Sequence, residues 1–273
     1  REINFINDIK DGSLKIGEIH NNRHNYRNFE KENSNLFKDV FAKFWMNSLI
    51  HKIRKLKCFV VLSTEDKNNW NELSNVRVIN NPISIKSDMT ANLDNKNVIA
   101  VGRYAYQKGF DMLLKAWKIV ESRHPDWNLF IYGGGDKAPF IKQYEELGIE
   151  KSCHLESATS DIISKYLNSS IFVLSSRFEG FPMVLPEAMS VGLPCVAFTC
   201  PCGTKDIIKD GEDGLWVRNE DVNMLAEKIC YLIENPLIRK AMGGKANYNV
   251  QRLRLENIMD QWIELFSELL RDR

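Results

Sequence analysis

Two carboxylates, Glu179 and Glu187, bracket the stretch Glu179-Gly180-Phe181-Pro182-Met183-Val184-Leu185-Pro186-Glu187. An ionised carboxylate accepts from two neighbouring hydroxyls at once, so such a pair can hold a ribose with one acid and a sugar ring with the other. Pro182 suits the first position of a helix, where its missing N–H would have no partner anyway. The N–H groups of Met183 and Val184 would then be free at a helix start, where the backbone dipole favours an anion. Spacing alone does not decide this. Glu187 as a solvent-facing helix residue and Glu179 as a first-turn dipole partner fit the same pattern.

A second stretch, Gly102-Arg103-Tyr104-Ala105-Tyr106-Gln107-Lys108-Gly109, carries two cations across a loop. Arg offers a planar fork of donors to phosphate oxygens and Lys a mobile point charge, so the two can close on a diphosphate. Taken alone, two solvated surface cations explain it better. A third stretch, Gly133-Gly134-Gly135-Asp136, opens a helix after a strand. It fits a ligand approaching the backbone closely, and equally a tight turn with Asp136 as N-cap. Its spacing is not that of a dinucleotide-binding fingerprint.

The elements that must position these loops follow from hydrophobic rhythm. Short apolar runs at 98–101, 129–132, 153–155, 171–174, 195–198 and 214–217 read as strands. They alternate with helical stretches at 109–122, 137–147, 160–168, 183–190, 204–209 and 221–234. That alternation predicts a parallel sheet flanked by helices, with ligands bound beyond the carboxyl ends of the strands. Earlier in the chain, strands are expected at 14–20, 58–62 and 76–79, and a long helix at 33–56. Ser63 or Thr64 can cap the short helix after the second strand. The polar segment 83–96 reads as an interdomain linker between a region 1–82 and a domain 97–250. A terminal helix, 251–273, can pack back on the first region.

The 273 residues are 44% hydrophobic and 27% charged, ordinary for a globular protein, with a formal net charge of +1. That balance gives no reason to expect a nucleic-acid partner. Six cysteines lie mostly in apolar runs without a Cys-x-x-Cys knuckle, as buried thiols do in a reducing compartment such as the cytoplasm. No apolar run is long enough to span a membrane and no signal-peptide pattern opens the chain. The start at Arg1, without an initiator Met, reads as the interior of a longer protein.

The stretch from Glu179 through Glu187, continuing Ala188-Met189-Ser190-Val191-Gly192-Leu193-Pro194, resembles the Glu-x7-Glu signature of the retaining glycosyltransferases of family 4. The resemblance covers residues 97–235 and includes Gly-Arg-x4-Lys-Gly, Tyr-Gly-Gly-Gly, Ser-x2-Glu-Gly-Phe-Pro beginning at Ser176, and Ile-Ile-Lys-Asp-Gly-Glu-Asp-Gly-Leu. More loosely, it reaches back to Asn81-Pro82-Ile83 and Glu18-Ile19-His20-Asn21. It implies an α/β chain of GT-B type with two Rossmann-like domains, the N-terminal one incomplete. It also implies transfer of a hexose from a UDP-sugar to a saccharide or lipid-linked saccharide acceptor, as in bacterial surface polysaccharide assembly. A UDP-sugar epimerase or hydrolase of the same fold, or a non-catalytic nucleotide-sugar-binding fragment, are the alternatives.

On matching positions, Arg103 and Lys108 would hold the diphosphate and stabilise departing UDP. Glu187 would bind the ribose. Glu179, with the backbone of Gly180, Phe181, Pro182, Met183 and Val184, would contact the transferred sugar, and His20 would reach that sugar across a cleft. His20 as a surface loop residue is the competing reading. No cofactor and no metal are expected, because the leaving group is met by cations and the chain lacks an Asp-x-Asp arrangement.

Two departures stand out. In Thr199-Cys200-Pro201-Cys202-Gly203-Thr204-Lys205-Asp206-Ile207-Ile208, Thr204 stands for the family's proline and Asp206 for its glutamate. The Cys-Pro-Cys reads as two ordinary thiols rather than a redox pair. The N-terminal region also lacks strands that the family places before His20. Finally, Lys38, Lys43, Lys52, Arg54, Lys55 and Lys57 accompany Phe41, Phe44, Trp45 and Ile53 on the helix around 33–57. Packing on the N-terminal sheet is the favoured reading, with peripheral contact on the inner face of an anionic membrane as the other.

Overall fold

A computed structural model describes residues 3, 5–23 and 36–271, with only the backbone for 36–41. Contacts divide the chain into two units, Arg1–Asn81 with Leu255–Arg273, and Pro82–Arg254.

In the first unit, β1 (Ile16–Glu18), β2 (Cys58–Val61) and β3 (Val76–Val78) form a parallel sheet in the order β1-β2-β3. Helices α1 (Leu36–Ile53) and α2 (Thr64–Asn69) connect the strands. Ser63 caps α2 by accepting from the Asp66 N–H. Asn75 closes the end of α1, its amide donating to the Ile53 and Leu56 carbonyls at 3.0 and 2.9 Å. Leu49, Ile50 and Ile53 of α1 are buried with Phe59, Val61 and Trp70. The apolar face of that helix is therefore spent on the core, although Phe44 stays 73% exposed. Lys38 and Phe41, which the membrane reading also used, lie outside the described side chains.

The second unit holds β4 (Asn97–Val101), α3 (Phe110–Arg123), β5 (Asn128–Gly133), α4 (Ala138–Leu147), β6 (Cys153–Ser157), α5 (Ile162–Leu167) and β7 (Ile171–Leu174). There follow α6 (Val184–Ser190), β8 (Cys195–Phe198), α7 (Thr204–Ile207), β9 (Gly214–Val217), α8 (Val222–Glu234) and α9 (Pro236–Asn249). The final helix, α10 (Leu255–Arg271), counts with the first unit, where Glu268 pairs with Arg77 of β3 at 2.6 Å.

All six strands of the second unit are parallel, ordered β6-β5-β4-β7-β8-β9. Val98, Ala100, Leu129, Ile131, Ile171 and Val173 meet α3, α4 and α8 on one face. The intervening Ile99, Phe172 and Ala197 are buried too, so the sheet is covered on both sides. The chain leaves β4 toward β5 and β6, then returns to β4's other flank as β7. The crevice between the ends of β4 and β7 is thus the topological switch point, where such sheets bind ligands.

Two expectations need correction. The segment expected as a linker belongs to the second unit: the Ile83 N–H donates to Leu253 O at 2.8 Å and the Ala91 N–H to Val191 O at 2.8 Å. Leu93 is buried and its carbonyl accepts from buried Arg239 at 3.1 and 3.2 Å, an anchorage polar composition does not reveal. Pro182 precedes α6 by two residues: the Leu185 N–H turns back onto Pro182 O, and the first full helical bond runs from the Glu187 N–H to Met183 O.

Candidate functional site

The loop after β4 and the loop after β7 are stitched together at the switch point. The Arg177 N–H donates to Gln107 O at 2.8 Å, and the Ser175 hydroxyl to Lys108 O at 2.9 Å. Gly109, at φ 62°, lies so close that a Cβ on it would stand 2.0 Å from Ser175 O. The Arg177 guanidinium grips Asp111 through two bonds of 2.8 and 2.7 Å and lies 4.0 Å over the Tyr106 ring.

This brings Lys108 and Glu179 into contact. Lys108 Nζ donates to Glu179 Oε1 at 2.6 Å, with the Glu179 side chain only 8% exposed. The Ser176 hydroxyl donates to the same oxygen at 2.7 Å, and Gln107 Nε2 reaches Phe178 O at 3.0 Å. The Glu179 N–H donates to Pro201 O at 3.2 Å. The expected separation of roles, a cation for the diphosphate and an acid for the sugar, therefore begins from a direct ion pair. A buried carboxylate needs such a partner, and an incoming diphosphate would compete for the same ammonium. Arg103 is exposed and, among the described residues, has no hydrogen bond or ion pair.

Glu187 is not a free solvent-facing acid. The Ser84 hydroxyl donates to its Oε1, and the Tyr166 hydroxyl to its Oε2 at 3.2 Å. Tyr166 is fully buried; burial first, and then the Glu187 charge, push its phenol well above the ordinary range, so it remains a donor. The N–H groups of Gly180, Phe181, Met183 and Val184 donate to no acceptor among the described residues. Phe181 is buried, and Gly203 (φ 93°) braces its turn: a Cβ there would fall 2.8 Å from Pro182 Cδ.

Cys200 and Cys202 are both buried thiols that form no disulfide, and Cys200 Sγ lies 3.6 Å from Thr204 Oγ1. Of the triple glycine, Gly133 and Gly135 serve close chain contact, against Gly102 O and Tyr104, while Gly134 has open space around its Cβ position. Asp136 accepts from the Ala138 N–H at 2.9 Å, but the N-cap of α4 is Lys137, which makes no side-chain cap bond, so Asp136 closes the turn one residue before the position expected of it. His20 lies in the first unit, exposed, 3.6 Å from Glu18. Ser84, Tyr166 and the Arg177–Asp111 grip escaped the sequence reading, because none sits in a spacing pattern that separates it from loop or core.

Burial alone would raise the Asp111 carboxyl, but the bonds and charge of Arg177 outweigh it and hold it below its usual range. A depressed native pKa stabilises above the unfolded value, near 3.9, and that stability is lost as pH falls through the folded value. Asp111→Asn is thus expected to lower the urea midpoint at pH 7, with the gap from wild type closing as pH falls below about 4. A gap unchanged below that pH would disprove the link.

Comparison with known proteins places residues 84–249 on the model of the family described as glycosyl transferases group 1. An uncharacterized glycosyltransferase of Haemophilus influenzae is 34% identical over 74% of this chain and 59% of its own length. The amylovoran biosynthesis glycosyltransferase AmsD of Erwinia amylovora is 33% identical over 79% of this chain and 66% of its own. A mutant form of S. aureus TarM, solved with fondaparinux, alpha-GlcNAc-glycerol and UDP, superposes with a TM-score of 0.78. It is 24% identical, over 94% of this chain and 51% of that one, a likeness of fold. The chain thus spans less than two thirds of the length of these relatives.

Proposed function

The chain belongs to the glycosyl transferases group 1 family, and from that premise we propose that it carries the donor half of a retaining, family 4 transferase. It would move a hexose from a UDP-sugar to a saccharide or lipid-linked saccharide, in bacterial surface polysaccharide assembly. The observation that carries this reading is the Lys108–Glu179 pair at the switch point, with exposed Arg103 on the same loop as Lys108. The UDP in the TarM complex and the polysaccharide role in the name of AmsD support the donor and the pathway class.

In this proposal Lys108 turns from Glu179 to the diphosphate, Arg103 adds its fork, and both offset charge as UDP departs. Glu179, released, takes hydroxyls of the sugar, and Glu187 takes the ribose. His20 is the remaining residue that the family resemblance assigns to the sugar. Retention follows from attack on the face the leaving group quits, with no metal required. Peripheral contact with the inner face of an anionic membrane, through the exposed Lys43 and Phe44 of α1, belongs to the same proposal.

UDP is expected to raise thermal stability, by about 2.7 kcal/mol at a hundredfold excess over Kd. Arg103→Ala removes no hydrogen bond or ion pair among the described residues, so it should abolish most of that gain while leaving the unliganded Tm nearly unchanged. A UDP effect of full size in Arg103→Ala, or none in wild type, would overturn the assignment.

A further inference from the structure

Glu187 receives donors from two segments far from it in sequence, one buried and one exposed. Tyr166 is sealed among apolar neighbours, its ring edge-on to Phe172 at 6.0 Å, and its hydroxyl bonds to Glu187 Oε2. Ser84 lies exposed on the segment before β4, and its hydroxyl bonds to Oε1. A carboxylate on a flexible Glu stem turns freely, and discriminating a diol requires one fixed plane. Each oxygen of a carboxylate accepts more than one bond, so both retain capacity for ligand hydroxyls after the protein donors are counted.

We propose that Tyr166 and Ser84 are positioning residues that lock the plane of the Glu187 carboxylate, and that this lock makes the site select a nucleotide with an intact ribose 2′,3′-diol. The proposal rests on the reading of Glu187 as the ribose ligand. Tyr166 sets the plane from the buried side, where no ligand can displace it. Ser84 sets it from the exposed side. Its hydroxyl can donate to Glu187 while accepting from one ribose hydroxyl, so two adjacent oxygens meet adjacent hydroxyls. A fixed pair of acceptors rejects an analogue lacking one hydroxyl, because a site atom is then left without its partner.

The test is calorimetric titration of wild type, Tyr166→Phe and Ser84→Ala with UDP and with 2′-deoxy-UDP. Wild type is expected to prefer UDP by about tenfold, the worth of one hydrogen bond to a charged group. In each variant that ratio should fall at least threefold, chiefly through weaker UDP binding, with affinity for 2′-deoxy-UDP nearly unchanged. Phe fills the ring space of Tyr166, so that variant should keep the wild-type melting profile within a few degrees. If both variants keep the wild-type ratio, or lose both ligands equally, the positioning role is wrong, while the wild-type preference for UDP still supports Glu187 as the ribose ligand. If wild type binds both nucleotides alike, or neither, the ribose reading of Glu187 fails and the lock fails with it.

Discussion

Lys108→Ala should lower donor-dependent UDP release by about 10²–10³-fold, the usual loss when one charge-stabilising donor is removed from a reacting site. The same substitution should cost stability, because Glu179 would keep a nearly buried negative charge without its cation. Breaking a buried pair from one side typically costs about 3–5 kcal/mol. The bond from Ser176 remains, which places the expected loss near about 3 kcal/mol. The two effects can be separated. Adding Glu179→Gln removes the stranded charge, so the double variant should regain most of the stability and none of the turnover. Turnover within threefold of wild type in Lys108→Ala would remove Lys108 from the donor site. A double variant as unstable as the single one would show that charge is not the cause.

Gly109→Ala should be the most damaging glycine substitution in the loop after β4. Its φ of 62° is left-handed, which costs an L-residue about 1–2 kcal/mol. Its Cβ would also stand 2.0 Å from Ser175 O and 2.6 Å from Met112 Cε, and the carbonyl belongs to backbone that cannot yield without opening the crevice between β4 and β7. Overpacking adds about 1–3 kcal/mol. The expected drop in unfolding free energy is therefore about 2–5 kcal/mol, with weakened UDP binding, since Lys108 is the adjacent residue. Gly134→Ala is the control: nothing lies within 4 Å of the added carbon and φ is not left-handed. Urea midpoints measured on both settle it. Equal midpoints would mean that the seam between the two loops is looser than the geometry demands.

Much of the site was legible in the sequence. The strands ending at Leu174 and Phe198 fall at their expected positions, because apolar runs of four residues between turn residues have few other ways to be buried. The loops carrying Arg103, Lys108 and Glu179, and the helix start carrying Glu187, were legible for the same reason: they follow strands, and parallel sheets gather such segments at one edge. Element ends were less certain. The last turn before α6 depends on which carbonyl Leu185 chooses, and no spacing rule encodes that choice.

Partnership was decided only in three dimensions. Arg177 and Asp111 are 66 positions apart, Lys108 and Glu179 are 71, and Ser84 and Glu187 are 103. Periodicity reports which face of an element is buried, a property of neighbours along the chain. It carries nothing about which distant side chain shares the space. So the amino-acid order by itself set the parallel α/β architecture, the loops that bear charge and the two acids. Tertiary structure decided that one acid is held by a lysine and the other by a tyrosine and a serine. The reason is that burying a carboxylate demands donors, and only the packed chain determines which donors are within reach.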